Sequence, residues 1–171
     1  MGSFLKGVLF TLALLVVAGL AVSLLGFIPT GADQTPTKFE TWLASNALDA
    51  SMERRAPRIN NPLPPTDQNL IEGMKVYTMA CAECHGTLDK KPSAFGRALY
   101  PPAPNLVLEP LDDPEWHIFY AVQHGVRNTG MPAWKGLLNE QQIWQVTAFL
   151  VRIEKLPPAV EEQRRKAFGG Q

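Results

Sequence analysis

The 171-residue chain reads as an all-α protein: a helical domain preceded by one helix long enough to cross a membrane. Three observations carry that reading. Residues Val8 to Ile28 form one apolar run without charge or proline. Beyond it, the segments with a legible pattern repeat at helical spacing between helix caps and stops. The fifteen prolines lie mostly in the connectors or between short helices. Sixteen basic residues cancel sixteen acidic ones, which leaves no global field to attract nucleic acid, and none is expected as a partner. No internal repeat is visible, so a solenoid is not expected.

The apolar run comes first. At about 1.5 Å of rise per residue it spans roughly 30 Å, the thickness of the hydrocarbon layer. Lys6 is the only charged side chain before it, which favours a cytoplasmic N-terminus. A cleaved signal peptide is the competing reading, with Ala21-Val22-Ser23 as a weak cleavage site, but the run continues past it through Leu24, Leu25, Phe27 and Ile28. Residues 1–29 are therefore expected to be an uncleaved signal anchor.

Residues 30–66 turn to Thr, Pro, Asn and charges and read as a linker. Within it, Phe39, Trp42, Leu43, Ala47 and Met52 approximate one face of an amphipathic helix from about Thr37 to Arg54. Such a helix suits a lipid surface, a partner subunit or the chain's own domain. Pro57, Pro62, Pro64 and Pro65 then predict a stiff extended stretch.

A domain is expected over 67–157. Thr66 or Asp67 caps a helix from Asn69 to Ala80, where Gly73 costs about 1 kcal/mol against alanine and so implies a close helix crossing, with Tyr77 one turn on. An irregular, proline-rich segment follows from Thr87 to Leu111, long enough to wrap one face of a ligand. Asp113-Pro114-Glu115 starts another helix, which Gly125 ends. The last helix begins at Asn139, with Gln142 placed for a capping box, and stops at Leu156-Pro157-Pro158. Residues 158–171 are charged and end in glycine and glutamine, and are expected to be disordered.

Chemistry concentrates in Cys81-Ala82-Glu83-Cys84-His85, which holds the only two cysteines in the chain. Two cysteines three apart with a histidine directly after the second are the attachment pattern of a c-type haem. On one helical turn both thiols can reach haem vinyl groups as thioethers, and the next imidazole can ligate the iron. A thioredoxin-like pair would need a βαβ setting, a zinc site would need differently spaced histidines, and a disulfide would leave His85 unexplained. One covalent haem c is expected, with His85 as metal ligand.

The candidates for the second axial position are Met131, Met74, Met79, His117 and His124. Met74 and Met79 share a helix with the cysteines, His117 falls in the first turn of its helix and His124 ends it. Met131 lies in Thr129-Gly130-Met131-Pro132, an inter-helix loop whose glycine and proline hold the backbone out of helix. Met131 is therefore assigned as the metal ligand, with a bis-histidine haem as the rival.

The stretch from Asn69 to Leu156 resembles class I cytochromes c of the bacterial membrane-anchored branch. The resemblance is carried by Gly73-x3-Tyr77-x3-Cys81-x2-Cys84-His85, by Gly125 and Gly130-Met131-Pro132-Ala133-Trp134, and by Phe149-Leu150. It implies a few helices and long loops around one haem, with the first and last helices crossing at Gly73, Tyr77 and Phe149. It also implies Met131 as distal ligand and a loop proline carbonyl, Pro102 or Pro104, accepting a hydrogen bond from His85. Arg97 and Trp134 can donate to the haem propionates.

Iron with both axial sites filled by protein leaves no position for substrate, so an electron carrier is expected and not an enzyme. Its site would be a bacterial inner membrane, single-pass, with the haem in the periplasm, where covalent attachment takes place. Its partners would be respiratory or photosynthetic redox proteins at the membrane surface. The alternative is a fixed subunit of a larger complex: quinol-oxidising complex, terminal oxidase or periplasmic dehydrogenase. A gas sensor or peroxidase is the weakest alternative. Lys90, Lys91, Arg97, Arg127 and Lys135, against Glu83 and Asp89, predict a basic docking surface.

Overall fold

A computed structural model describes residues 2–168, and all regular elements among them are helical. The chain divides into two compact units, residues 1–34 and 35–171.

In the first unit, α1 (Gly2–Leu24) is long and apolar enough to cross a membrane. Its Thr11 and Ser23 hydroxyls bond back to the carbonyls of Gly7 and Gly19, so neither is left without a partner in an apolar medium. The helix stops four residues before the apolar run does. Gly26 adopts φ 78°, a left-handed conformation that ends a helix and that glycine reaches without steric cost.

The second unit contains α2 (Lys38–Arg55), α3 (Asp67–Ala80), α4 (Ala82–His85), α5 (Ala94–Arg97), α6 (Glu115–His124), α7 (Glu140–Val151) and α8 (Pro158–Phe168). Its centre is the α3–α7 crossing. A Cβ on Gly73 would stand 2.1 Å from the Gln145 carbonyl oxygen, so only glycine lets the two backbones meet. Tyr77 and Phe149 close the next turn with ring centroids 5.8 Å apart, and Gln145 Nε2 donates to Asn69 Oδ1 at 3.1 Å. On the other side of α7, Trp144 stacks on Phe119 of α6 at 3.7 Å between ring centroids. Hence α7 is buried on all sides from Ile143 to Leu150. Each fully buried aromatic or branched side chain there contributes roughly 1.5–3 kcal/mol of apolar transfer.

Capping chemistry sets the helix starts. Thr66 accepts from Asn69 N at the start of α3, and Asn139 with Gln142 closes the expected capping box on α7. Thr37 and Glu40 form a second such box on α2. The start of α6 departs from the expected pattern: the helix begins at Glu115, and Asp113 does not cap it. The Asp113 carboxylate instead accepts from His117 Nδ1 at 3.1 Å.

The C-terminal segment also differs from expectation. Residues 158–168 are not without structure but form α8, and Val160 is fully buried against Leu70 and Ala148. Arg164 pairs with Glu161 and donates to the Leu88 carbonyl at 2.9 Å. A charged composition concealed one apolar anchor. The expected tail residues 169–171 lie outside the described ones.

The apolar face expected on α2 is divided. Leu48 and Met52 turn inward and Ala56 is buried just past the helix end, whereas Phe39, Trp42 and Leu43 are exposed. Glu40 accepts from the Tyr100 hydroxyl at 2.6 Å, which ties the start of α2 to the proline-rich segment. That hydrogen bond holds the Glu40 carboxyl below its usual range.

Candidate haem cleft built by one helical turn, a proline segment and a methionine loop

The amides of Cys84 and His85 both bond to the Cys81 carbonyl, at 3.1 and 2.9 Å. That single turn brings Cys81, Cys84 and His85 to the wall of one cavity. Gly86 ends the turn at φ 90°, and a Cβ there would come within 2.6 Å of the Asn105 amide. The His85 carbonyl accepts from Leu106 N at 3.1 Å, which ties the turn to the proline segment. The carbonyls of His85 and Gly86 both face Tyr77. The buried Tyr77 hydroxyl donates to them at 3.1 and 2.7 Å. Tyr77 thus fixes the turn from below and does not line the cavity. Burial and the hydrogen-bonded setting suit a neutral phenol, whose pKa burial pushes upward.

The proline segment closes one wall through Leu99, Pro101, Pro102, Ala103, Pro104 and Leu106. It contains a short helix that the sequence pattern did not suggest, α5, seated against the haem turn. A Cβ on Gly96 would meet the Cys84 carbonyl at 1.9 Å. Of the two proline carbonyls in question, Pro104 O lies 2.9 Å from His85 Nδ1. A carbonyl only accepts, so Nδ1 carries the proton and Nε2 keeps its lone pair for a metal.

The methionine loop folds back on the end of α6. Trp134 N donates to Val122 O at 3.2 Å and Val126 N to Met131 O at 3.2 Å, while Met131 N donates to Thr129 Oγ1 at 3.1 Å. Gly125, at φ 67°, gives the loop room, since a Cβ would lie 2.6 Å from the Ala133 amide. Met131 and Trp134 are half-buried and line the cavity.

The cavity has a volume of about 340 Å³ and mostly apolar walls. Cys81, Cys84, His85, Met131, Pro102, Pro104 and Trp134 all line it, and Arg97 does not, being exposed on α5. Among the other sulfur and imidazole candidates, Met74 is buried in the core, Met79 is exposed, and His124 is exposed beside Tyr120. Two further donors line the cavity. Met52 arrives from α2 and was not among the candidates read from sequence, because it lies outside the resemblance. His117 is buried, with Nδ1 on Asp113 and Nε2 without a hydrogen-bond partner. His117 was already among the axial candidates, and its partner Asp113 lies one turn before it.

The donor set fits a c-type haem. Both thiols are free and within one turn, the adjacent imidazole is oriented through its far nitrogen, and the walls are apolar. Burial, and then the neighbouring Cys84, push the Cys81 thiol up to about 12; Cys84 is raised mainly by burial too. Neither is the low-pKa, thiolate-forming cysteine of a redox pair. On the surface nearby, Lys91 pairs with Asp89 at 2.7 Å.

An all-helical unit with this turn, cleft and α3–α7 crossing is a class I cytochrome c domain. Residues 68–150 match the family model described as "Cytochrome C oxidase, cbb3-type, subunit III". That span runs from α3 nearly to the end of α7 and leaves α1, α2 and α8 outside. No curated protein and no solved structure matches the chain. A cytochrome c domain implies a c-type haem and electron transfer.

Proposed function

We propose that the chain is a membrane-tethered electron carrier with one haem c, bonded to Cys81 and Cys84 and ligated by His85 and Met131. The haem domain would lie on the periplasmic side of a bacterial inner membrane and exchange electrons with redox proteins at its surface. The observation that carries this reading is the cleft that gathers both cysteines, His85 and Met131.

When bound by these residues, the haem would supply reversible one-electron chemistry. The protein does the rest. His85 presents Nε2 because the Pro104 carbonyl holds the proton at Nδ1. Tyr77 holds the turn that carries His85. The apolar walls limit water at the cleft and would favour a less charged, reduced iron there, and Met131 would be the thioether that raises the potential. Acid–acetone extraction followed by a pyridine haemochrome assay tests the proposal. It should leave one haem per chain in the protein, and a potentiometric titration should show a single one-electron wave. Extractable haem, or two waves, would contradict it.

The description of the matched family favours a second reading, a fixed subunit of a terminal oxidase or similar assembly. Purification in mild detergent separates the two readings. Companions at constant stoichiometry favour the subunit, and a lone haem protein favours the carrier.

A further inference from the structure

The exposed end of α2 is an apolar feature that the packing of its own unit does not use. Phe39, Trp42 and Leu43 are 68%, 60% and 51% exposed, and the two aromatic rings stack with centroids 6.0 Å apart. They occupy one side of the helix, because positions three and four apart share a face. The inward-facing residues, Leu48 and Met52, lie on the other side and line the cleft. The helix start is fixed without help from the patch, by the Thr37–Glu40 capping box and by the Tyr100–Glu40 hydrogen bond. The patch is therefore preformed and left over.

Its place in the chain says what covers it. Phe39 follows Ile28, the last residue of the apolar run, by only eleven positions. Fully extended, that tether reaches about 38 Å at most. With the run in a bilayer, the patch is never far from the headgroups, and its effective concentration there is high. Its chemistry matches that layer: two aromatic rings and a leucine suit the boundary between headgroups and acyl chains, and Lys38 beside them suits lipid phosphate. We propose that Phe39, Trp42 and Leu43 dock α2 on the membrane surface and so hold the haem domain down in a defined orientation. This rests on reading α1 as a membrane anchor.

Photolabelling of the full-length haem protein in vesicles tests it. The vesicles are phosphatidylcholine containing a fraction of lipid with a diazirine near the headgroup end of the acyl chain. Trypsin then cuts after Lys38 and Arg54, which separates the α2 peptide from the anchor peptide for mass spectrometry. Lipid adducts are expected on both peptides of the wild type. In Phe39→Ser/Trp42→Ser/Leu43→Ser, the α2 adducts should fall at least fivefold while the anchor adducts persist. All three side chains are exposed, so the variant should keep the haem spectrum of the wild type. A labelled anchor with an α2 peptide no more labelled than peptides of α8 would overturn the docking proposal alone, and would point to water, a second copy or a protein partner over the patch. An unlabelled anchor would refute the anchor reading and the proposal with it.

Discussion

The stretch that matches the cytochrome family model and the two helices outside it, α2 and α8, are built on different terms. Inside the match, tight steric and hydrogen-bond constraints fall on single residues. Gly73 admits the Gln145 backbone, Gly96 admits the Cys84 backbone, and Tyr77 bonds the two carbonyls at the end of the haem turn. The flanking helices carry few such constraints. In α8 one fully buried valine and one arginine suffice, and α2 contributes two half-buried side chains to the cleft. The inner stretch specifies the site, and the flanks finish its walls and core.

Ways to break that comparison follow in order of expected effect. Cys81→Ala with Cys84→Ala should be the most severe. A domain of this size has little core to spare for an emptied cleft, and circular dichroism should show loss of most helical signal beyond α1. A stably folded, haem-free double variant would contradict the claim. Next come Gly73→Ala and Val160→Ala, one from each region. The added methyl on Gly73 meets a backbone carbonyl, which cannot move cheaply, and should cost about 3 kcal/mol or more in urea unfolding. Truncating Val160 removes two buried methyl groups and should cost roughly 2 kcal/mol. If α8 were only loosely attached, the valine change would be silent.

A smaller effect is expected from Leu48→Asp with Met52→Asp. The α3–α7 core does not involve α2, so the fold should survive. Water and two carboxylates beside the haem should favour oxidised iron, lowering the reduction potential by tens of millivolts and speeding entry of imidazole. An unchanged potential and unchanged ligand entry would mean that α2 does not wall the cleft.

The same contrast explains what was legible in the sequence. The all-α class, the haem turn and the Gly73 crossing rest on local chemistry written in single residues: a cysteine pair, a glycine and an aromatic at fixed spacing. The choice of Pro104 over Pro102 was not legible, because it depends on how a flexible-looking segment closes in three dimensions. Nor was α8, where one buried valine sits among charges. The division of α2 into an inward pair and an outward aromatic patch was legible only in part. At 3.6 residues per turn Met52 falls about 140° from Phe39, so the single apolar face expected there does not hold, but spacing alone does not say which side meets the cleft. Met52 enters the cavity wall from outside the matched stretch, where the sequence offered no reason to seek a donor.

Because Met131 and Met52 both line the cleft, the identity of the sulfur at the iron is where the account is most exposed. The far-red absorption of the oxidised protein decides it, since a sulfur-to-iron charge-transfer band reports thioether ligation directly. Met131→Ala should abolish the band and lower the reduction potential, whereas Met52→Ala should leave the band in place. Survival of the band in Met131→Ala, or its loss in Met52→Ala alone, would contradict the assignment.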